Sequence, residues 1–184
     1  MARELSVREI QSSDFDLLAN YWFESDKSHL EGMGVDLNKM PARDQFLQML
    51  SDHYNTPIHE RKSYCIIWLV EGIPVGHSNT NPAIFGKEAF MHLHIWNTNI
   101  RSKGMGIEFV KMTLPFFFEN LQLKKLYCQP YALNPAPNKS LEKVGFEFVK
   151  EYITIPGFIN FEQPVKLWEM SLEKFKQLVE SWEK

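Results

Sequence analysis

Two histidines one residue apart, His92 and His94 in "AFMHLHIW", are the side chains of this sequence best suited to moving protons near neutral pH, because a free imidazole titrates there. A few residues on, "NIRSKGMGIEFVK" (residues 99–111) is a basic, glycine-marked turn that runs into an apolar periodic segment. A turn of this kind between a strand and a helix can hold a phosphate, since main-chain N–H groups and the positive end of the helix dipole converge on it. It lacks the GxxxxGK pattern of a P-loop, and Phe109 stands where a dinucleotide fingerprint needs its third glycine. What remains is Arg101-x-x-Gly104-x-Gly106. Further along, Tyr131 offers a phenol as acid, or an aromatic wall. Cys128 reads as a core cysteine rather than a nucleophile, for no clear histidine and carboxylate set accompanies it. His77 with His92 and His94 supplies metal-ligand types on strands, but no carboxylate or cysteine cluster joins them, so no metal is expected.

The elements that must position these residues read as one α/β alternation. "LSVREI" is a short opening strand, and "SSDFDLLANYWFES" is a helix with Ser12 or Ser13 as its cap. A glycine-marked loop, "HLEGMGVDLNKMP", leads to a second helix from about Pro41, with Phe46, Leu47 and Leu50 on its apolar side. "SYCIIWLVEGIPVGHSNTN" predicts a hairpin about Glu71 and Gly72, and "AFMHLHIW" a third strand with His92, His94 and Trp96 on one face. Met105 to about Leu121 predicts a helix that Pro115 should bend or end early. "KKLYCQP" is another strand, followed by a helix, "NPAPNKSLEKVGF", capped by Asn134 and closed at Gly145. Strands near "FEFVKEYITI" and "PVKLWEMSL" and an amphipathic helix from Glu173 to Trp182 complete the chain. The order β-α-α-β-β-β-α-β-α-β-β-α implies a mixed sheet with helices on its faces.

With these residues in this order, the sequence resembles the GCN5-related N-acetyltransferase superfamily. Its signature, Gln/Arg-x-x-Gly-x-Gly/Ala between a strand and a helix, is matched by Arg101, Gly104 and Gly106, and "NPAPNKSLEKVGF" looks like its second cofactor segment. The resemblance covers nearly the whole chain. It implies an α+β fold whose central, mostly antiparallel twisted sheet is flanked by helices. It also implies acetyl-CoA as donor to a primary amine, on a small molecule or on a protein N-terminus or lysine, by direct attack in a ternary complex. The donor's pyrophosphate would rest on the main chain of Arg101, Ser102, Lys103, Gly104, Met105 and Gly106. Its pantetheine arm would lie like an added strand against His94, Ile95 and Trp96. Asn134 matches the family's asparagine that bonds this arm, and is equally a plain helix cap. A main-chain N–H near Ile95 or Trp96 would meet the developing oxyanion.

The family's usual acids and bases are absent from their places. Leu141 stands where many relatives have a tyrosine, Pro137 where a subset has a serine, and Gln129 where some have a glutamate. His92, His94 and Tyr131 are then the catalytic candidates. In relatives acting on arylalkylamines, a His-x-His pair in this strand leads protons to solvent, and His92 alone matches the spacing of one member of that pair to the motif. The commoner fate of such histidines is to be packed, hydrogen-bonded residues of a half-buried face. The missing residues keep open an alternative, a non-catalytic acyl-CoA-binding or sensing module of the same fold. The acceptor pocket is expected from "WFESDKSHLEGMGVDLNKM", where Glu24, Asp26, Glu31 and Asp36 either attract an amine or form a solvated loop. Trp22, Phe23, Trp96 and Phe158 are possible apolar walls or core aromatics.

Composition sets the frame for this chemistry. The chain has 184 residues, 44% of them hydrophobic and 23% charged, which suits a single folded domain over 1–184. The net charge of −3 gives no footprint for nucleic acid. Two isolated cysteines fit a reduced setting, and no run approaches the ~18 apolar residues of a membrane span. A soluble, cytoplasmic monomer or homodimer is expected, with no nucleic-acid or membrane partner.

Overall fold

In the computed structural model, residues 3–96 and 104–182 are described. The chain order is β1 (Leu5–Glu9), α1 (Phe15–Glu24), α2 (Lys27–Gly32), α3 (Arg43–Asn55), β2 (Tyr64–Val70), β3 (Ile73–Ile84) and β4 (Glu88–Ile95). Then follow α4 (Met105–Pro115), β5 (Lys125–Cys128), α5 (Pro135–Val144), β6 (Glu147–Thr154), β7 (Gln163–Ser171) and α6 (Leu172–Trp182). Among the described residues seven strands form one sheet in the order β1-β2-β3-β4-β5-β7-β6, antiparallel throughout except for the parallel pair β4 and β5.

Strand β2 explains the layering. All seven of its residues are buried, and they serve two cores: Tyr64, Ile66, Trp68 and Val70 join one cluster, Cys65, Ile67 and Leu69 the other. Side chains alternate along a strand, so a run without a polar position must be covered on both faces. The larger cluster is covered by α4, whose Phe109 stacks on Trp68 at 5.1 Å and 4°. The Trp68 indole donates to Thr113 Oγ1 at 2.8 Å, which satisfies the one polar atom of a buried ring. The smaller cluster is covered by α1 and α3 through Leu18, Phe15, Phe46 and Leu50. It is on this second side that the site lies.

Two local readings change, and the effect of Pro115 takes a particular form. Ser12 and Ser13 do not cap α1: they sit in a 3-10 turn, and Asp14 instead accepts from the Gln11 N–H at 2.8 Å while its carboxylate takes two bonds from Arg8 at 2.6 and 2.8 Å. The loop after α1 is partly helical, because α2 forms around the buried Leu30. Pro115 cannot donate to the carbonyl four residues back, and α4 ends at it, as expected, though the chain goes on turning. It passes into a wider π turn, Phe116–Asn120, a known way to absorb such a defect. The hairpin at Glu71 and Gly72 is as expected, with both residues at positive φ (50° and 73°), as a two-residue primed turn requires.

Candidate active site

The site begins where two strands part. β4 is eight residues long, but β5 pairs with it only at Glu88, Ala89 and Phe90. The stacked rings of Phe90 and Tyr127, 5.2 Å apart, close the zipped part. Beyond them β4 stays on β3, while the chain after Cys128 turns off toward Tyr131, which bridges to Val165 of β7. A wedge opens between the strands. It is continuous with a cavity of about 460 Å³ that reaches back under α1 and α3.

The floor of this cavity is polar and its roof apolar. His77 of β3 stands directly opposite His94 of β4, and Asn79 opposite His92, so the four side chains share one face. Trp22, Phe46 and Leu50 come from the helices above, Met40 and Phe158 from the loops beside them.

Each histidine is fixed differently. A bulge in β3 sets Asn81 and Pro82 against a single residue of β4, and Pro82, having no N–H, suits such an interruption. The Asn81 carbonyl thereby accepts from Nε2 of His92 at 2.8 Å. A carbonyl only accepts, so the His92 proton is on Nε2 and its basic lone pair on Nδ1. Burial lowers the pKa of this ring, and the Asn81 carbonyl partly offsets that by stabilising the protonated form. Its main chain is held too, for Ser78 Oγ donates to the His92 carbonyl at 2.8 Å.

His77 is 2% exposed and accepts at Nδ1 from the Trp96 indole at 2.8 Å, which places its proton on Nε2. Burial, then the proximity of His92, pushes its pKa down to about 3. His94 stacks on His77 at 4.7 Å and 24° and meets Trp22 edge-on at 4.9 Å. Its Nδ1 is 3.2 Å from the hydroxyl of Tyr21, a buried residue of α1 whose oxygen is also 3.4 Å from Nε2 of His29.

On the cofactor side, Arg101, Ser102 and Lys103 lie outside the described residues. Gly104 is the N-cap of α4 with φ 76°, a left-handed conformation that favours glycine, and a Cβ there would meet nothing within 4 Å. Met105 opens the helix, and a Cβ at Gly106 would stand 3.7 Å from Ile95 Cδ1. The Trp96 N–H is committed to the Val75 carbonyl at 2.8 Å. Of the two expected oxyanion donors, Trp96 is thus engaged within the sheet.

Asn134 occupies the N-cap of α5, but its side chain makes no capping bond, and it lines the cavity with Tyr131. The turn carrying both is tied down by Asn138. Its Nδ2 donates to the carbonyls of Asn134 (2.8 Å) and Tyr131 (3.2 Å), and its Oδ1 accepts from the buried Trp168 indole at 2.8 Å. Leu141, at the place of the relatives' tyrosine, is fully buried in the core. Cys128 is buried as well, its thiol pushed up to about 12 by desolvation.

His92, His94, Tyr131 and Asn134 thus border one cavity, whereas Ile95 and Trp96 are not among its lining residues. Glu24, Asp26 and Glu31 are exposed, and Asp36 accepts from the Asn38 N–H at 3.1 Å, so none of the four lines it. Trp22 and Phe158 form walls, while Phe23 packs on Phe46 and Trp96 serves His77. Sequence reasoning missed Asn81, Tyr21 and Asn138, because a main-chain carbonyl at a bulge, a phenol on a distant helix and an amide inside a helix have no spacing signal. Among the described residues no group of three or more His, Cys, Asp or Glu could hold a metal ion, and no helix is long and apolar enough to cross a membrane.

The fold that carries this site is shared with solved acetyltransferases. The spermidine N-acetyltransferase of Vibrio cholerae in complex with CoA and spermine is similar at TM-score 0.75 and 18% identity, over 94% of this chain and 98% of that one. The aminoglycoside acetyltransferase AAC(6')-Ib in complex with coenzyme A and kanamycin is similar at 0.72 and 16%, over 95% and 98%. The ribosomal alpha-N-protein acetyltransferase RimL in complex with coenzyme A is similar at 0.73 and 10%, over 92% and 95%. The sequence profile of the acetyltransferase (GNAT) domain matches residues 4–147, and the chain belongs to that family.

Proposed function

We propose that this protein transfers the acetyl group of acetyl-CoA to a primary amine by direct attack in a ternary complex. The observation that carries the reading is the continuity of the β4/β5 wedge with a cavity whose floor presents His92 with its tautomer fixed by Asn81. The left-handed Gly104, with nothing near the place of a Cβ, suits the start of α4 to an anion, which fits the donor's pyrophosphate, and by the resemblance the main chain of Arg101, Ser102, Lys103, Met105 and Gly106 would share in holding it. His94, Ile95 and Trp96 form the edge along which the pantetheine arm lies, and Asn134 bonds it. The relatives crystallised with coenzyme A and with spermine or kanamycin support coenzyme A and an amine as the ligand classes.

Acetyl-CoA supplies an activated acyl group as its thioester. The protein's share is to place the amine, remove its proton, and protect the reacting centre from water. His92 is the base: its Nδ1 takes the proton while Asn81 holds Nε2, and being neutral near pH 7 it is ready to do so. His94 relays or positions through Tyr21. Tyr131, at the opposite wall, gives the proton that the departing thiolate needs.

The test is thiol release from acetyl-CoA with a broad panel of amines, paired with CoA binding to the Gly104→Val variant. Amine-dependent release, and weakened CoA binding in the variant, are expected. Tight CoA binding without release for any amine would overturn the transfer reading, and undiminished affinity in the variant would overturn the placement of the cradle.

A further inference from the structure

Among the described residues, the lining of the cavity that opens on the wedge includes neither Asp nor Glu, and neither Lys nor Arg. The seven residues that follow β4 and its neighbour Trp96, NTNIRSK from 97 to 103, contain no acid either. The titratable groups that do face the cavity include histidines, of which His53, His77 and His92 are each shifted by burial toward the neutral form. The roof is Trp22, Phe46, Leu50 and Phe158, with Met33, Met40 and Met49 between them. Thioether chains are unbranched and polarizable, so they mould themselves to an apolar guest of variable shape.

At the rim, Asp52, beside the lining residue His53, accepts from Gln48 Nε2 at 2.7 Å, and the acid on the other side is offset by a lysine. Asp36, beside the lining residue Val35, accepts the Asn38 N–H and lies 3.9 Å from Lys39. Lys39 in turn donates to the carbonyl of Asn160, a residue of the cavity wall, at 2.7 Å, which sets an ammonium at the entrance. A second cationic group on an acceptor would lose its hydration in this cavity and find no counter-charge. The polar side chains of the lining, amides such as Asn79 and Asn81 and the histidines, are neutral and suit one amine and hydrogen bonding, not a string of ammonium groups.

We infer that the acceptor is a small monoamine, one primary amine carried on an uncharged apolar body, and that polyamines and other polycations are excluded. This rests on the acetyl-transfer reading for the reaction, but the selectivity belongs to the cavity and is measurable without turnover. The natural probes are heptylamine and 1,6-diaminohexane, which have the same length and differ by a methyl against an ammonium at the far end.

Both amines would be titrated into the CoA-loaded protein by calorimetry and compared as substrates by thiol release. Heptylamine is expected to bind at least about tenfold more tightly, and to show at least about a tenfold higher kcat/KM, than the diamine. Introducing a carboxylate at the rim, Met40→Glu, should narrow or reverse the difference by about tenfold. Equal binding, preference for the diamine, or binding of neither amine would overturn the inference. Preferential binding of heptylamine with no turnover would uphold the cavity's selectivity while overturning the acetyl-transfer reading. Should the variant fail to fold, the comparison on the unaltered protein decides alone.

Discussion

Nε2 of His92 lies 2.8 Å from the main-chain oxygen of Asn81, and this single bond determines which face of the imidazole is basic. The donor must be Nε2, so the lone pair is on Nδ1, and the bulge that turns Asn81 inward is what orients the base. Because burial lowers the His92 pKa from its ordinary 6.5, the ring is free to accept a proton at every pH above that lowered value. The acid limb of kcat/KM should therefore fall below pH 6.5. His92→Gln should reduce kcat by about 100-fold or more and erase that limb. A profile measured from about pH 5 to 9 decides it: an unchanged limb in the variant would remove His92 from the chemistry.

Asn138 tests whether the turn bearing Tyr131 and Asn134 must be held. Asn138→Ala leaves the buried Trp168 indole without an acceptor and releases two carbonyls of the turn. An orphaned buried donor costs about 1–3 kcal/mol, so the melting temperature should fall. CoA affinity should fall with it. Adding Trp168→Phe removes the orphaned donor, and should restore part of the stability but none of the affinity. Recovery of both together would show that Asn138 acts only through global stability.

How far these relationships were legible in the sequence follows from how local each one is. The seven strands, the primed turn at Glu71 and Gly72, and the helix closed by Gly145 were readable because alternation, glycine conformation and capping are near-neighbour effects. The cap of α1 was not, since Asp14 is engaged by Arg8 from the preceding strand, a pairing that no capping rule contains. The same limit applied to the site. His92 and His94 could be proposed from their spacing, but their partners Asn81 and Tyr21 arrive from a bulge and from a helix 73 residues away from His94. The acidic residues of the first loop suggested a cation site by composition, and the fold turned three of them to solvent. Sign of charge is legible in a sequence; the direction in which it faces is not.

Gly34 carries the loop that roofs the cavity, and it should not tolerate a side chain. Its φ is 88°, and a Cβ would collide with the side-chain amide of Gln163, a residue that is 1% exposed. The Gly34 carbonyl also accepts from Gln163 Nε2 and Asn160 Nδ2, both at 2.9 Å, which pins the loop to the β6–β7 connection and the start of β7. Gly34→Ala should cost at least about 2 kcal/mol, the left-handed penalty plus displacement of Gln163. Gly72→Ala, at φ 73° with nothing near the new Cβ, should cost only about 1–2 kcal/mol. Denaturant melts of the two variants give the comparison, and equal costs would show that the Gln163 contact is unimportant.

His77 makes the fold sensitive to acid in a predictable window. The unfolded chain binds a proton at this position below 6.5, and the folded chain refuses it until about 3, because the ring is buried and His92 stands nearby. Between those values the unfolded state holds more protons, so stability rises with pH and is lost as pH falls. On moving from neutrality to pH 5 the loss from His77 alone is about 2 kcal/mol. His92 adds to it in the same direction, its pKa being lowered too. His77→Gln retains an acceptor for the indole but has nothing to titrate, so its unfolding free energy should vary less with pH than that of the native protein. The check is a set of denaturant titrations across this range. Parallel pH dependences for the two proteins would mean that His77 titrates in the fold as it does in the unfolded chain, and that burial does not hold it in the neutral form.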